Sequence, residues 1–207
     1  VRIVLIGPPA SGKGTQAGAL TQRLSIPKIS TGDMLRVART AGTSLGKAAE
    51  SYMNSGKLVP DSVVIGLVEA RILLPDAQAG FVLDGFPRTV PQAEALQSLL
   101  GRTGSPLDVV VLIDVARELL VERATLRRMD RQTGQIYHLK YNPPPAGAEV
   151  IHREDDREET VKKRLDEYDT MTAALLPFYS ALGLLRRIEG EGAPSLVTDR
   201  MMVAIGK

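Results

Sequence analysis

The chain of 207 residues has no cysteine and no tryptophan, and only 4% of its residues are aromatic. Without cysteine there are no disulfides, no thiolate metal ligands and no cysteine nucleophile, a composition that suits a reducing compartment. With so few rings the core must be built from Leu, Ile, Val and Ala, and at 43% hydrophobic residues there is material enough for one. No apolar run reaches the roughly 18–20 residues that a membrane span needs. Val1 to Ile6 is too short for the apolar stretch of a signal peptide. A net charge of only +2 supplies no basic field, so neither nucleic acid nor a membrane surface is an expected partner.

What the chain does contain is a recurring alternation. Val1-Arg2-Ile3-Val4-Leu5-Ile6 is a short, nearly continuous apolar run that reads as a buried parallel strand. Phe81-Val82-Leu83 before Asp84 and Val109-Val110-Val111-Leu112-Ile113 before Asp114 repeat it, and Leu184 to Ile188 is a fourth candidate. Between these runs, Val64, Leu67, Val68 and Ile72 recur at helical spacing behind Pro60-Asp61. Leu119, Leu120 and Arg123 belong to a second helix, and the charged stretch Glu158 to Leu176 reads as a long, partly exposed one. This is the pattern of an α/β fold, with a parallel sheet joined by right-handed crossovers and covered by helices. Two stretches break it. Residues 31–59 read as helix without strand, and residues 129–157 as a small strand-and-loop excursion, where Gln135 to Tyr141 runs into Asn142-Pro143-Pro144-Pro145.

Behind the first strand stands Gly7-Pro8-Pro9-Ala10-Ser11-Gly12-Lys13-Gly14-Thr15, followed by helix-compatible Gln16 to Leu24. Glycine, four residues and Gly-Lys between a buried strand and a helix start is the arrangement of a phosphate loop. Glycine lets successive N–H groups turn inward, the helix dipole adds partial positive charge, and Lys13 adds a full one. A glycine-rich turn with a surface lysine is the competing reading, and the strand–loop–helix context argues against it. Such a site binds the phosphates of a nucleoside triphosphate.

The Gly-Lys-Gly-Thr ending and a second motif narrow this further. Phe81-Val82-Leu83-Asp84-Gly85-Phe86-Pro87-Arg88, with Gln92 four residues on, resembles the signature of the adenylate kinase family at every position. The resemblance continues through Ile29 to Arg36, Gly56 to Pro60, Ile136-Tyr137-His138 and Asp155-Asp156 with Arg164, and so covers essentially the whole chain. It implies a core with the phosphate loop (1–30, 60–128 and 158–207), an AMP-binding insertion (31–59) and a lid (129–157) that close over substrates and exclude water. It also implies reversible, Mg²⁺-dependent phosphoryl transfer from ATP to AMP, serving adenine nucleotide balance.

By that resemblance AMP is held by Thr31, Arg36, Met53, Lys57, Leu58, Val59, Gly85, Phe86, Arg88 and Gln92, with Arg153 and Arg164. Gln92 would read the adenine edge, and Arg36 with Arg88 would clamp the phosphate. ATP falls to Gly12, Lys13, Gly14, Thr15, Arg123, Arg127, Ile136 and Tyr137, with the backbone near Gly192 against its base. The catalytic set is Lys13, Arg88, Arg123, Arg153 and Arg164, and Asp84 would hold Mg²⁺ through water. Chemistry supports such a set independently, because phosphoryl transfer needs alignment and charge neutralisation more than covalent help. Arginine grips phosphate oxygens with a planar fork.

Competing roles stay open for several residues. Arg127 and Arg128 follow a helix whose C-terminus they suit as caps, and Asp114 suits a helix N-cap. His138 and His152 read as ordinary lid residues rather than metal ligands. Asp155 and Asp156 either favour the start of a helix or bridge lid arginines. Ala10 stands where many family members have glycine, and the absence of Cys removes the four-cysteine zinc site that holds some lids. Asp130, Thr133 and Tyr137 are expected to hold this lid instead. A UMP or CMP kinase is the nearest alternative; a GTPase-like switch lacks its Asn-Lys-x-Asp motif here. A monomer is expected, in the cytoplasm or, if a targeting segment has been removed, in an organelle.

Overall fold

The computed structural model describes residues 1–55 and 57–207; Gly56, part of the Gly56 to Pro60 segment above, lies outside the described residues. The strand-like runs form β1 (Arg2–Ile6), β2 (Lys28–Ser30), β3 (Phe81–Asp84), β4 (Val109–Asp114) and β8 (Leu185–Glu189) of a parallel sheet ordered β2-β3-β1-β4-β8. Around it lie α1 (Lys13–Leu24), α2 (Thr31–Thr40), α3 (Ser44–Ser55), α4 (Asp61–Ile72) and α5 (Val90–Arg102). The second half adds α6 (Arg117–Thr125), α7 (Glu158–Glu167), α8 (Leu175–Ala181) and α9 (Pro194–Ala204). Three short strands, β5 (Arg127–Asp130), β6 (Ile136–His138) and β7 (Val150–Ile151), make a separate antiparallel sheet ordered β6-β5-β7.

Near-continuous apolar strands are what a sheet buried on both faces requires. Val4, Ile6, Phe81, Leu83, Val110 and Leu112 point to a core shared with α4 and α5, while Ile3, Leu5, Val82, Val109, Val111 and Ile113 meet α1, α6, α7 and α9 on the other face. The core is mainly aliphatic, as composition demands, although Phe81 and Phe86 are its largest fully buried side chains.

Three features differ from expectation. β2 was not among the expected strands: at three residues, Lys28-Ile29-Ser30 is too short to show a pattern, and its place at the sheet edge comes from pairing with β3. The helix expected from Glu158 to Leu176 ends at Glu167, passes through a π-helical turn over Tyr168–Thr172 and restarts as α8. Pro177 explains the break, since it has no N–H to donate and its ring excludes the carbonyl four residues back, so it is tolerated only in a first turn. The small sheet begins at Arg127, and β5 therefore straddles the expected start of the lid.

Among its described residues the stretch 31–59 contains α2, α3 and no strand, as its sequence suggests. Asp130 organises the turn after β5: its Oδ1 accepts from the backbone N–H of Gln132 (2.9 Å) and of Thr133 (2.8 Å), and Thr133 Oγ1 accepts from Gln135 N–H (3.2 Å). Asp114 does not cap α6. The N-cap there is Ala116 without a side-chain bond, and Asp114 is exposed at the end of β4.

Candidate active site

Every strand of the large sheet delivers something at its carboxyl end, and the chain crosses from β3 past β1 to β4 there, the place where open α/β sheets form crevices. β1 leads into Gly7 to Gly12, and α1 starts at Lys13 with Gly12 as N-cap at φ 98°, a conformation suited to glycine. Gly12 has no side chain to occupy the first-turn N–H groups, which leaves them for an anion. Lys13 Nζ folds back to donate to the carbonyls of Gly7 (2.6 Å) and Pro8 (2.7 Å). Desolvation lowers its pKa to about 7, Asp84 partly opposing this and Arg88, Arg164 and Arg127 adding to it. Gly14 and Thr15 are exposed in the first turn of α1.

β2 and β3 deliver the second half. Thr31 Oγ1 donates to Gly85 O (2.9 Å), and Arg88 Nε donates to the same oxygen (2.8 Å). Gly85 sits at φ 83°, and a Cβ there would lie 3.0 Å from Thr31 Oγ1 and 3.1 Å from Arg88 Nη2, so a larger residue at this turn is strained and displaces both side chains. Desolvation and the neighbouring Arg164 lower the Arg88 pKa to about 10.

Thr31, Arg36, Met53, Lys57, Leu58, Val59, Gly85, Arg88, Gln92 and Arg164, drawn from separate segments, line one open cleft. Two expected members stand elsewhere. Phe86 is buried in the core among the contacts of α4 and α5, because an apolar ring gains more from burial there than from a charged, open cleft. Arg153 does not line the cleft; its guanidinium donates to the sulfur of Met129, with Nη2 at 2.8 Å. Desolvation together with Arg36 and Arg127 lowers its pKa to about 10.

On the triphosphate side, Arg123 of α6 donates to Gly190 O (3.2 Å) and so reaches the loop that carries Gly192, which sits at φ 106°. Ile136 is exposed and Tyr137 half-buried on β6, an edge strand of the small sheet. Arg127 is not a helix cap. It forms a two-pronged pair with the fully buried Asp156, Nε to Oδ2 at 2.8 Å, whereas Arg128 does cap α6 by donating to Thr125 O (2.9 Å).

Several charged partners were not among the expected site residues. Asp155 lines the cleft, accepts from Arg164 (3.0 Å) and lies 3.9 Å from Arg36, tying the 31–59 stretch to α7. Burial pushes its carboxyl up, but Arg164, Arg127, Arg36 and Arg153 outweigh this and lower the pKa. Lys28 lies between Asp33 (3.1 Å) and Asp84 (3.7 Å), and Asp33 also pairs with Arg36. Asp61 accepts from Gln92 and Thr89. The family motif contained Asp33, but nothing in residue spacing pairs it with Lys28 or brings Asp61 to Gln92.

A loop with a lysine at one end of the sheet and an arginine-rich cleft beside it, joined through Gly85 and Asp84, can hold two anionic ligands next to each other. The adenylate kinase family profile matches residues 5–184. The chain belongs to the adenylate kinase family. It is 57% identical over 208 residues to an adenylate kinase of Sorangium cellulosum, covering 99% of this chain and 96% of that one. An adenylate kinase of Moorella thermoacetica is 51% identical over 214 residues, with 100% and 99% covered, and one of Syntrophotalea carbinolica 46% identical over 213 residues, with 100% and 99% covered. Family membership therefore spans both the phosphate loop and the arginine cleft.

Proposed function

We infer that this chain is an adenylate kinase, an enzyme that transfers the terminal phosphoryl group of ATP to AMP and gives two ADP. The observation that carries the reading is the convergence of Thr31, Arg36, Lys57 to Val59, Gly85, Arg88 and Gln92 on one cleft beside the phosphate loop. In this reading AMP lies in that cleft and ATP lies along Gly12 to Thr15, with its base toward the Gly190 to Gly192 loop. The AMP phosphate is already an anionic nucleophile, so no general base is required, and the residues act by alignment and charge neutralisation.

Lys13 leaves the carbonyls of Gly7 and Pro8 to meet the phosphates of ATP. Arg36, Arg88 and Arg164 bind the AMP phosphate, and Arg123, Arg127 and Arg153 approach the transferred group as the 129–157 lid closes. Asp155, which pairs with Arg36 and Arg164, gives way to the AMP phosphate when that ligand binds. Asp84 fits a hydrated divalent cation: it accepts only, it ends β3, and its Oδ2 would lie 3.6 Å from a Cβ built on Gly14 in the phosphate loop. Among the described residues no cluster of His, Cys, Asp and Glu is arranged to cage a metal unaided, so Asp84 and Thr15 would share Mg²⁺ with water and phosphate. When bound, that ion supplies charge neutralisation on the phosphate oxygens. No helix among the described residues is long and apolar enough to cross a membrane.

A coupled assay with AMP, UMP, CMP and GMP tests the assignment. AMP should be turned over far faster than the others; a pyrimidine monophosphate used as well as AMP would overturn it.

A further inference from the structure

Gln92 is almost fully buried in the first turn of α5, yet it lines the cleft. Its side chain is held at both ends. Nε2 donates to Asp61 Oδ1 (2.7 Å), and Oε1 accepts from the backbone N–H of Arg88 (2.8 Å). Asp61 is itself moored, its Oδ2 accepting from Thr89 Oγ1 (2.8 Å), the hydroxyl that caps α5. Asp61 does not line the cleft; it stands behind Gln92 at the start of α4.

We propose that Asp61 fixes the polarity of the Gln92 amide and thereby decides which nucleobase edge the cleft accepts. This rests on the reading of that cleft as the monophosphate site. A carboxylate offers acceptors and a backbone N–H offers a donor, so the amide can satisfy both only with its NH2 toward Asp61 and its carbonyl toward Arg88. The reversed amide would set two acceptors face to face at one end and two donors at the other. In the fixed orientation Nε2 keeps one N–H and Oε1 keeps one lone pair for a ligand.

Adenine presents the complementary pair, an amino group that donates and a ring nitrogen that accepts. Hypoxanthine and guanine present the opposite pair, a carbonyl oxygen that accepts and a ring N–H that donates, and they meet the fixed amide donor to donor and acceptor to acceptor. Uracil shares that reversed polarity. Cytosine shares adenine's, so its rejection falls to the size of the cleft. Asp61 is thus a positioning residue for base choice, acting through Gln92.

The test compares kcat/KM for AMP and for IMP, whose edges differ in polarity, in the wild type and in Asp61→Asn. An asparagine can face the amide with either its oxygen or its nitrogen, so the AMP:IMP preference should fall by about tenfold or more. The change should appear mainly in the KM of the monophosphate, with the KM of ATP unchanged. Asp61→Ala, which removes the acceptor outright, should move the preference in the same direction and serves if Asp61→Asn does not fold. An unchanged ratio, or an equal loss with both monophosphates, overturns the proposal. Gln92→Leu separates the two levels. If it collapses the preference while the Asp61 variants keep it, the proposal alone falls; if it too keeps the preference, the reading of the cleft falls with it.

Discussion

Lys13 is a cation held against the carbonyls of its own loop, with a pKa brought down to about 7 by the desolvation of its site. Burying that charge costs stability, and phosphate binding offsets the cost. Lys13→Met should therefore lower turnover roughly 100-fold or more while raising the melting temperature of the unliganded protein. Near-normal turnover would remove the charge argument. Ala10 shows the opposite economy: it sits at φ 64°, a left-handed conformation that glycine adopts without strain. Ala10→Gly should relieve strain of about 1–2 kcal/mol and lose part of that to unfolded-chain entropy, a net gain of about 0.5–1 kcal/mol. Calorimetry would register it as a rise of about 2 °C in Tm. Arg88, bonded to Gly85 O and lining the cleft, should on change to Ala raise the KM of AMP more than that of ATP; the reverse would mean that the two sites are exchanged. At this scale the phosphate loop and the Asp84 to Gln92 motif were legible because one short segment carries each. Lys28 and Asp61 were not, since their partners are brought to them only by the fold.

Among the elements, the small sheet is held without any cysteine by ordinary hydrogen bonds. The Asp130 carboxylate caps two N–H groups of the β5–β6 turn, and Lys140 Nζ and Tyr141 Oη both donate to Glu122 on α6, at 2.7 and 3.2 Å. Asp130→Ala should cost about 0.5–1.5 kcal/mol locally and speed amide exchange at Gln132 and Thr133; unchanged exchange there would mean that the turn holds itself. Expectation and structure agree on this region because alternating residues and a proline run are local signals. They disagree on the late helix because the pattern of Glu158 to Leu176 was followed past Thr172, while the cause of the break, Pro177, lies just outside it. They disagree on β2 because a three-residue edge strand is defined by its neighbour β3 and not by its own pattern.

For the whole molecule, α3 packs against α7 and the 154–156 turn, and Arg36, Arg164 and Asp155 link the 31–59 stretch to α7 through charge. Arg36 and Lys28 overcome the burial of Asp33, and the arginines around Asp155 do the same there, so both carboxyls titrate below their ordinary range. A carboxyl with a lowered folded pKa contributes stability above its unfolded value, near 4, and loses it as pH falls through the folded one. The urea midpoint should therefore drop as pH is lowered from about 5 to about 2, and the Asp33→Asn, Asp155→Asn double variant should show a shallower drop; an equal slope would assign acid sensitivity elsewhere. In solution scattering, the radius of gyration should fall when both nucleotides bind, if the lid closes as proposed. The family, the fold class and the residues proposed for the site are read from the sequence alone, because a phosphate loop, buried strands and signature motifs are written in contiguous residues. Tertiary structure alone decided that Phe86 belongs to the core, that Arg127 pairs with Asp156, that Asp155 occupies the arginine cleft and that Asp61 stands behind Gln92. Each of those depends on side chains far apart in the chain meeting at the carboxyl ends of one sheet, and no local pattern encodes such a meeting.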